Sequence, residues 1–440
     1  MAETAQEQAA KAQAQNALQY AAHAAVQAAE VVPVEGGVCA PRGIRATSVH
    51  CGIRASRTKN DLSLIVSDVR GTAAAVYTTN LVKGAPNIVT KAHLADGHAQ
   101  AVICNSGNAN TCNADGIEIA EGMAKLVEEA CGIPAADVIV GSTGVIGQPL
   151  SLAPIAAGMS VLVAGLAAEG ADGAAGSALA VAGIMTTDTR PKEVGVEFAC
   201  GGVTCRLGGI CKGSGMIAPN MATMLGFLTT DAAISPEMLQ RALSAVVADT
   251  FNMVSVDGDT STNDMVTIMA NGLAGNPEIT QAGPDYDAFA AALLYVCQQL
   301  CRMIAGDGEG ATKLLQCEVT GAKDVANACI VAKAVINSSL LKAAMFGADA
   351  NWGRVLCAIG YSGADVDVAK VAVSFVSAAG QIDVCENGAG IPFSEEVAKV
   401  VLSEPEIRIL ITLGDGDAAA TAYGCDLTYD YVKINGDYRT

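Results

Sequence analysis

An α/β fold is the class that the sequence predicts, from three observations. Apolar runs of strand length, each bounded by polar residues, occur at residues 62–66, 101–104 and 224–228. Apolar residues recur at helical spacing from Tyr286 to Ile304, and the pattern stops at Gly306. Near the C-terminus, runs of strand character at 371–376 and 407–413 surround a helix start at Ser394. This last pattern predicts a smaller α/β module.

Further elements follow from local signals between these runs. Residues 119–130 have helical character, and the apolar run 138–140 reads as a strand. Ser235, Pro236 and Glu237 form a helix start, because they supply a cap, a first-position proline and an early acid. The uncharged stretch 138–168 is rich in glycine and proline, which favours a loop and a core helix over a membrane span.

Composition excludes several classes of partner. Of 440 residues, 51% are hydrophobic and 16% charged, which is typical of a globular protein of two or three domains. The net charge of −19 argues against nucleic acid or an anionic membrane as partner. Fifteen scattered cysteines without a CxxC pair indicate reduced thiols and a cytoplasmic protein, with no metal site of familiar spacing.

Residues 1–35 are predicted to be an appendage to the globular part. Alanine and glutamine dominate up to about residue 30, and the acids Glu3, Glu7 and Glu30 outnumber the single base Lys11. A signal peptide needs a basic start and an apolar stretch, whereas an organellar transit peptide is rich in arginine and poor in acid. The segment fits neither description, and we expect either a partner-binding helix or disorder.

Residues 212–232, KGSGMIAPNMATMLGFLTTDA, are the centre of the functional hypothesis. A loop of glycine, proline and asparagine enters a buried strand, and Thr223 stands at the junction. Attack of its hydroxyl on the carbonyl of Ala222, followed by hydrolysis, would give Thr223 a free α-amine with a pKa of about 7.7 to 8.0. That amine can act as the base for its own hydroxyl. The alternative is a threonine that only satisfies the backbone.

Two polar motifs elsewhere suggest metal or nucleotide binding and fail on inspection. Counted from Asp257, the motif SVDGDTSTND has Thr262 and Ile268 where a calcium loop requires glycine and glutamate, so we expect a polar turn that supports the site. The motif GDGEGATK has Ala311 where a phosphate loop requires its second glycine. No metal or bound cofactor is therefore predicted.

The run 212–232 resembles the self-cleavage segment of the ornithine acetyltransferase family, the bifunctional glutamate N-acetyltransferases of arginine biosynthesis. The similarity covers about residues 36–440. Further motifs agree with the family in order, namely APRGIRATSVHCGIR, NSGNANTC, GSTGVIG, TTDT, SVDGDTSTND, GEGATK, GADANWGR and the terminal NGDYRT.

The resemblance implies a domain plan. Self-cleavage between Ala222 and Thr223 would give an α chain of residues 36–222 after the appendage and a β chain of residues 223–440, with a C-terminal module from about residue 315. The implied fold is a sandwich of sheets and helices shared with self-cleaving aminopeptidases. The implied assembly is an α2β2 heterotetramer.

The resemblance also implies the reaction and its residues. Thr223 would take acetyl from N2-acetylornithine and pass it to glutamate, with Thr143 and Gly144 as the oxyanion hole. Flanking glycines agree with that role, because they let backbone N–H groups converge, although a strand exit of this kind can also be only a turn. Binding of the amino-acid substrates is implied for Thr186, Lys212, Thr223, Glu309, Asn435 and Thr440.

Several alternatives stay open at this point. Whether acetyl-CoA also serves as donor is one of them. A self-cleaving amidohydrolase or aminopeptidase of the same fold would use water as acceptor in place of glutamate. An unprocessed binding protein would have kept the fold and lost the chemistry.

Overall fold

The computed structural model describes residues 31–56, 58–218 and 224–437. The predicted appendage up to residue 30, the cleavage pair Ala222 and Thr223, and the terminal Thr440 lie outside the described residues. Within these ranges the protein combines two sheets with helices on and between them, so the predicted α/β class is confirmed.

The larger sheet has nine strands within the described ranges, in the order β1-β6-β7-β8-β10-β3-β4-β5, with β2 paired to β3. Most neighbours run antiparallel, but β8 with β10 and β4 with β5 are parallel. The strands of this sheet are β1 (Val32–Val34), β2 (Ile44–Val49), β3 (Leu62–Tyr77), β4 (His98–Asn108), β5 (Val138–Val145), β6 (Lys192–Cys200), β7 (Val203–Lys212), β8 (Leu225–Thr230) and β10 (Met265–Ala270).

The smaller sheet has seven strands in the described part, in the order β14-β13-β12-β15-β11-β16-β9. Six of them come from the C-terminal region, and the two-residue β9 joins them from the middle of the chain. Its strands are β9 (Val254–Ser255), β11 (Leu314–Ala322), β12 (Ala372–Ser377), β13 (Gly380–Glu386), β14 (Ala389–Gly390), β15 (Glu406–Thr412) and β16 (Ala418–Cys425).

The described helices pack against both sheets. They are α1 (Ala85–His93), α2 (Gly116–Cys131), α3 (Leu152–Leu166), α4 (Ala174–Ile184), α5 (Pro236–Asp249), α6 (Pro284–Gly306), α7 (Val325–Asn337), α8 (Ser339–Phe346), α9 (Trp352–Tyr361), α10 (Glu395–Leu402) and α11 (Tyr429–Asp437). The predicted cap of α5 is present, since the Ser235 hydroxyl accepts a hydrogen bond from Met238 N.

Helix α6 contacts both sheets. It packs against β6 and β7 of the larger sheet and against β11 and β16 of the smaller one. By length and composition α6 could pass for a membrane span, but 61% of its most apolar stretch is buried inside the protein. This burial is typical of the core helix of a globular protein. The uncharged stretch 138–168 contains strand β5, a loop and helix α3.

The asparagine-rich motif NSGNANTC begins in strand β4 and ends in a turn. Strand β4 continues through Asn108, because the Asn105 amide donates to Asn108 O at 2.9 Å and the Asn108 amide donates to Gln148 O at 3.0 Å. The turn comes afterwards, where Asn110 and Cys112 adopt positive φ. These bonded amides hold the end of β4 beside the end of β5.

Candidate active site

One pocket brings together the described residues that sequence analysis predicted for the site. It lies where the ends of β4, β5 and β7 approach the loops before β10 and after α6. The predicted lining residues are Thr143, Gly144, Thr186, Lys212, Glu309 and Asn435. The other described lining residues are Ala109, Ile146, Thr187, Gly215, Met216, Ser261, Thr262 and Asn263. The predicted roles of Ala222, Thr223 and Thr440 fall outside the described ranges.

The Thr143–Gly144 pair sits at the end of β5 in tight contact with β4. Gly144 has φ of +132°, and a Cβ there would lie 2.4 Å from the carbonyl carbon of Gly107. A side chain is therefore excluded on both conformational and steric grounds. The preceding carbonyl, that of Ser142, accepts a hydrogen bond of 3.0 Å from the Asn263 amide. The backbone at this pair is thus fixed from two sides.

Asn263 is a buried connector between three polar loops. Its amide nitrogen donates to Ala109 O at 2.6 Å and to Ser142 O, while its amide oxygen accepts from the hydroxyls of Thr111 and Thr262 at 2.6 Å each. Both the amide nitrogen and the amide oxygen of this buried side chain are therefore hydrogen-bonded, as burial of a polar group requires. Ser261, Thr262 and Asn263 of the motif SVDGDTSTND form a polar wall of the pocket.

At Lys212 the chain leaves the larger sheet and enters the loop that leads to the predicted cleavage site. Lys212 is the last residue of β7 and is the register partner of Leu225, the first residue of β8. The strands that lead into and out of the predicted cleavage segment are therefore neighbours in the sheet. Lys212 is largely buried, which makes an unpaired ammonium group costly and favours a nearby anion.

A buried ionic cluster lies beneath the pocket, formed by Asp188, Lys192 and Asp307. The Lys192 ammonium donates to Asp188 Oδ1 at 2.7 Å and to Asp307 Oδ2 at 2.5 Å. Burial alone would raise the pKa of the Asp188 carboxyl, but the Lys212 and Lys192 cations outweigh it and lower that pKa to about 2. Burial in turn disfavours the charged form of Lys192, but the two carboxylates raise its pKa overall.

The same cluster holds three segments that contribute to the pocket. Asp188 accepts hydrogen bonds from Thr186 N at 3.0 Å and from Gly213 N, next to Lys212, at 2.7 Å. The backbone carbonyl of Asp307 accepts from the Ser214 hydroxyl at 2.7 Å. Contacts to the same two aspartates thereby fix Thr186, Lys212 and the Glu309 loop relative to one another.

Glu309 is held against the C-terminal helix α11. Its Oε2 accepts a hydrogen bond of 2.8 Å from the Asn435 amide, and its own N–H donates to Ser214 O at 2.9 Å. A Cβ on Gly215 would lie 2.3 Å from the carboxyl carbon of Glu309. Glycine at 215 is therefore a condition for this placement of the carboxylate.

The charges that line the pocket have opposite signs. Of the described lining residues, the charged ones are Lys212 and Glu309. An α-amino acid carries a carboxylate and an ammonium group, so this pair can recognise both ends of such a molecule. Within the described ranges, no group of three or more His, Cys, Asp or Glu side chains is arranged to hold a metal ion. Around the rejected calcium motif, the Asp257 carboxylate instead accepts backbone N–H groups.

Comparison with known proteins decides the family. The model described as the ArgJ family matches residues 45–440. An arginine biosynthesis bifunctional protein ArgJ from Caldanaerobacter subterraneus subsp. tengcongensis is 49% identical over 408 residues, which are 92% of this chain and 99% of that protein. The chain belongs to the ArgJ family. The predicted family is therefore confirmed, and with it the predicted class, an acetyltransferase of arginine biosynthesis.

Two solved structures are also similar to parts of the chain. The arginine biosynthesis bifunctional protein argJ from Bacillus halodurans is 49% identical, covers 49% of this chain and all of its own, and has a TM-score of 0.47. Ornithine acetyltransferase complexed with ornithine, from Mycobacterium tuberculosis, is 36% identical, covers 44% of this chain and all of its own, and has a TM-score of 0.39. The rival prediction of an amidohydrolase is not favoured, because the relative that matches almost throughout is an ArgJ protein.

Sequence reasoning missed several residues of the ArgJ pocket. Asn263 was expected only as part of a supporting turn, and the cluster of Asp188, Lys192 and Asp307 was not expected at all. The four-residue spacing of Asp188 and Lys192 indicates an ion pair only on a helix, whereas these residues lie in the loop before β6 and at its first position. Asp307 lies 115 positions from Lys192, and local spacing carries no information on that contact.

Proposed function

We propose that this ArgJ-family protein cleaves itself between Ala222 and Thr223 and then uses Thr223 to transfer acetyl from N2-acetylornithine to glutamate. The observation that carries the residue assignment is the meeting of Lys212 and Glu309 in one pocket with Thr143 and Gly144. Such a pocket offers opposite charges for an amino acid and backbone donors for an oxyanion.

The cleavage step is an acyl shift followed by hydrolysis. The Thr223 hydroxyl oxygen attacks the Ala222 carbonyl carbon, the peptide C–N bond breaks, and the freed nitrogen takes the hydroxyl proton. Water then attacks the resulting ester. The products are a carboxylate on Ala222 and a Thr223 with a free hydroxyl and a free α-amine, whose unperturbed pKa of about 7.7 to 8.0 suits a general base near neutral pH.

The transfer reaction has two half-reactions through one ester. In the first, Thr223 Oγ attacks the acetyl carbonyl, its proton passes through the Thr223 amine to the departing nitrogen, and ornithine leaves. In the second, the neutral α-amine of glutamate attacks the ester, and Thr223 Oγ recovers a proton. Thr143 and Gly144 bind the oxyanion of both tetrahedral intermediates, because the developing charge occupies the same place each time.

Substrate positioning is assigned to the charged and polar lining residues. Lys212 binds a carboxylate of donor or acceptor, Glu309 binds the side-chain ammonium group of N2-acetylornithine, and Thr186, Asn435 and Thr440 complete the binding set. The reaction as written needs no metal or bound cofactor. The word bifunctional in the relatives' names supports acetyl-CoA as a second donor. We further propose a cytoplasmic α2β2 assembly of the processed chains.

The decisive experiment combines mass measurement with a transfer assay. Purified wild-type protein should give a fragment that begins at Thr223, and Thr223→Ala should stay intact and inactive. Acetyl transfer to glutamate is compared with release of free acetate, once with N2-acetylornithine and once with acetyl-CoA as donor. Folded, acetyl-transferring protein without a fragment beginning at Thr223 would refute the mechanism. Acetate release without transfer would support the hydrolase.

A further inference from the structure

The segment that leads to the predicted cleavage site is fixed by a neighbouring loop. Residues 213–218 follow β7, and residues 256–260 follow β9. Val256 N donates to Ile217 O at 2.6 Å, and the Thr260 hydroxyl donates to Ala218 O at 2.8 Å. An isolated antiparallel bridge pairs Ile217 with Thr260. The last described residues before the cleavage site are therefore held from one side.

Asp257 provides the strongest part of this contact. Its Oδ2 accepts a hydrogen bond from Met216 N at 2.7 Å, and its Oδ1 accepts from Ile217 N at 2.8 Å. A carboxylate that accepts two successive backbone N–H groups fixes the orientation of both peptide planes. Hydrogen bonds to a charged acceptor are also stronger than those between neutral groups.

The backbone held by Asp257 has an uncommon conformation. Met216 has φ of +56°, in the left-handed region that a residue with a side chain seldom adopts. Such a conformation persists when the surrounding contacts hold it in place. Here the Asp257 carboxylate accepts hydrogen bonds from the N–H groups of Met216 and Ile217. Without those bonds, the segment would relax to commoner backbone angles.

Asp257 also contacts the C-terminal helix. The Tyr431 hydroxyl donates to Asp257 Oδ2 at 3.3 Å, and Tyr431 lies on α11, one turn before Asn435. Asp257 is partly exposed, and its polar surroundings make an amide in its place tolerable to the fold. The carboxylate is not among the residues that line the pocket.

We propose that Asp257 is a positioning residue for self-cleavage. It holds residues 216–218 in the conformation that presents the Ala222 carbonyl to the Thr223 hydroxyl, and it takes no part in proton transfer. The inference rests on the proposed function, because it assumes the cut between Ala222 and Thr223. Acetyl transfer itself requires the free amine of Thr223, which lies on the other side of the break, and the one residue of 216–218 that lines the pocket is Met216.

The test compares Asp257→Asn with Asp259→Asn, which changes the charge equally but on an exposed neighbour. The chains are synthesised in a cell-free system, and the intact fraction is followed over time by denaturing electrophoresis and intact mass. Asn cannot accept both N–H bonds through equivalent anionic oxygens, so we expect D257N to cut at least about tenfold more slowly. D259N should cut like the wild type.

Two further readouts separate positioning from general stability. Acetyl transfer per mole of cut D257N chain should fall by a smaller factor than its rate of cleavage, and its melting temperature should stay close to that of D259N. Cleavage of D257N at the wild-type rate would overturn the inference. So would a loss of cleavage that merely parallels a loss of folded protein.

A second variant keeps the inference testable if D257N does not fold. Thr260→Val removes the hydroxyl that donates to Ala218 O and leaves the shape of the side chain almost unchanged. It should slow cleavage in the same direction, and an unchanged rate would count against the inference. A wild-type chain that never cuts overturns the proposed function as a whole, whereas normal cutting by both the wild type and D257N overturns this inference alone.

Discussion

The Glu309 carboxylate accepts a hydrogen bond from the Asn435 amide at 2.8 Å, which ties the loop after α6 to the C-terminal helix α11. The two residues are 126 positions apart in the chain. Through this bond, the orientation of the acid in the pocket depends on how the last described helix is seated. If Glu309 has the proposed binding role, substrate recognition links the middle of the chain to its end.

Replacing Glu309 by glutamine should weaken substrate binding more than the chemical step. The variant keeps the shape of the side chain and a partner for Asn435 but loses the charge that attracts an ammonium group. We expect KM for N2-acetylornithine to rise about tenfold or more, with kcat changed much less. Steady-state kinetics of purified protein measure both parameters. Glu278→Gln, an exposed acid outside the pocket, serves as control, and an unchanged KM in E309Q would remove Glu309 from the site.

Adding a methyl group at Gly215 should displace the same carboxylate. The new Cβ would lie 2.3 Å from the carboxyl carbon of Glu309, so the acid must move out of its place. Transfer activity of Gly215→Ala should fall at least about tenfold. Because both changes act on one group, the double variant with E309Q should be little worse than either single variant. Gly436→Ala on α11, where no atom lies within 4 Å of the new Cβ, is the matched control.

Removing the Lys212 side chain should separate cleavage from transfer. We expect Lys212→Ala to be cut at the wild-type position, because the cleavage step as proposed does not use its ammonium group. Transfer should become at least about tenfold slower, since a substrate carboxylate loses its partner. Intact mass and the transfer assay on the same sample give both results. Lys91→Ala, an exposed lysine on α1, controls for lost charge, and an uncut K212A chain would contradict the expectation.

The buried cluster predicts a specific acid dependence of stability. The pKa of Asp188 is lowered to about 2 from an ordinary 3.8, so the ionised carboxylate stabilises the folded state above the ordinary value. That stabilisation is lost as the pH falls through the folded pKa. The difference in unfolding free energy between wild type and Asp188→Asn should therefore shrink by about 2 kcal/mol between pH 5 and pH 2.

Urea unfolding of both proteins across this pH range measures the effect. Asp417→Asn, at an exposed acid in the turn before β16, should track the wild type throughout. A constant difference between wild type and D188N at all pH values would mean that the Lys192 and Lys212 cations do not hold this carboxyl in its charged form.

The fold was largely predictable because its signals are local. The run 224–228 became β8, the cap at Ser235 begins α5, and the helical periodicity from Tyr286 to Ile304 became α6. The site was predictable as far as family motifs carry it, and the predicted residues within the described ranges share one pocket. The roles assigned to them stay predictions.

What could not be predicted depends on contacts between distant segments. Asp307 meets Lys192 only because α6 crosses the larger sheet, and Asp257 reaches Met216 only because β9 joins the smaller one. The asparagine-rich motif around Asn105 shows a second limit of local signals. Its asparagines satisfy one another and neighbouring carbonyls, so β4 continues where the composition alone favoured a turn.

The order of strands in the larger sheet has a consequence for how the protein is made. Strands β8 and β10 follow residue 223 in the chain, whereas β7 and β3 precede residue 222. In the sheet, β8 and β10 lie between β7 and β3. The part before residue 222 thus lacks two strands between β7 and β3, and the part after residue 223 has both outer edges of the β8–β10 pair uncovered. We therefore expect the larger sheet to form while residues before 222 and after 223 still belong to one chain. Expressing the two parts from separate genes should yield insoluble or inactive products.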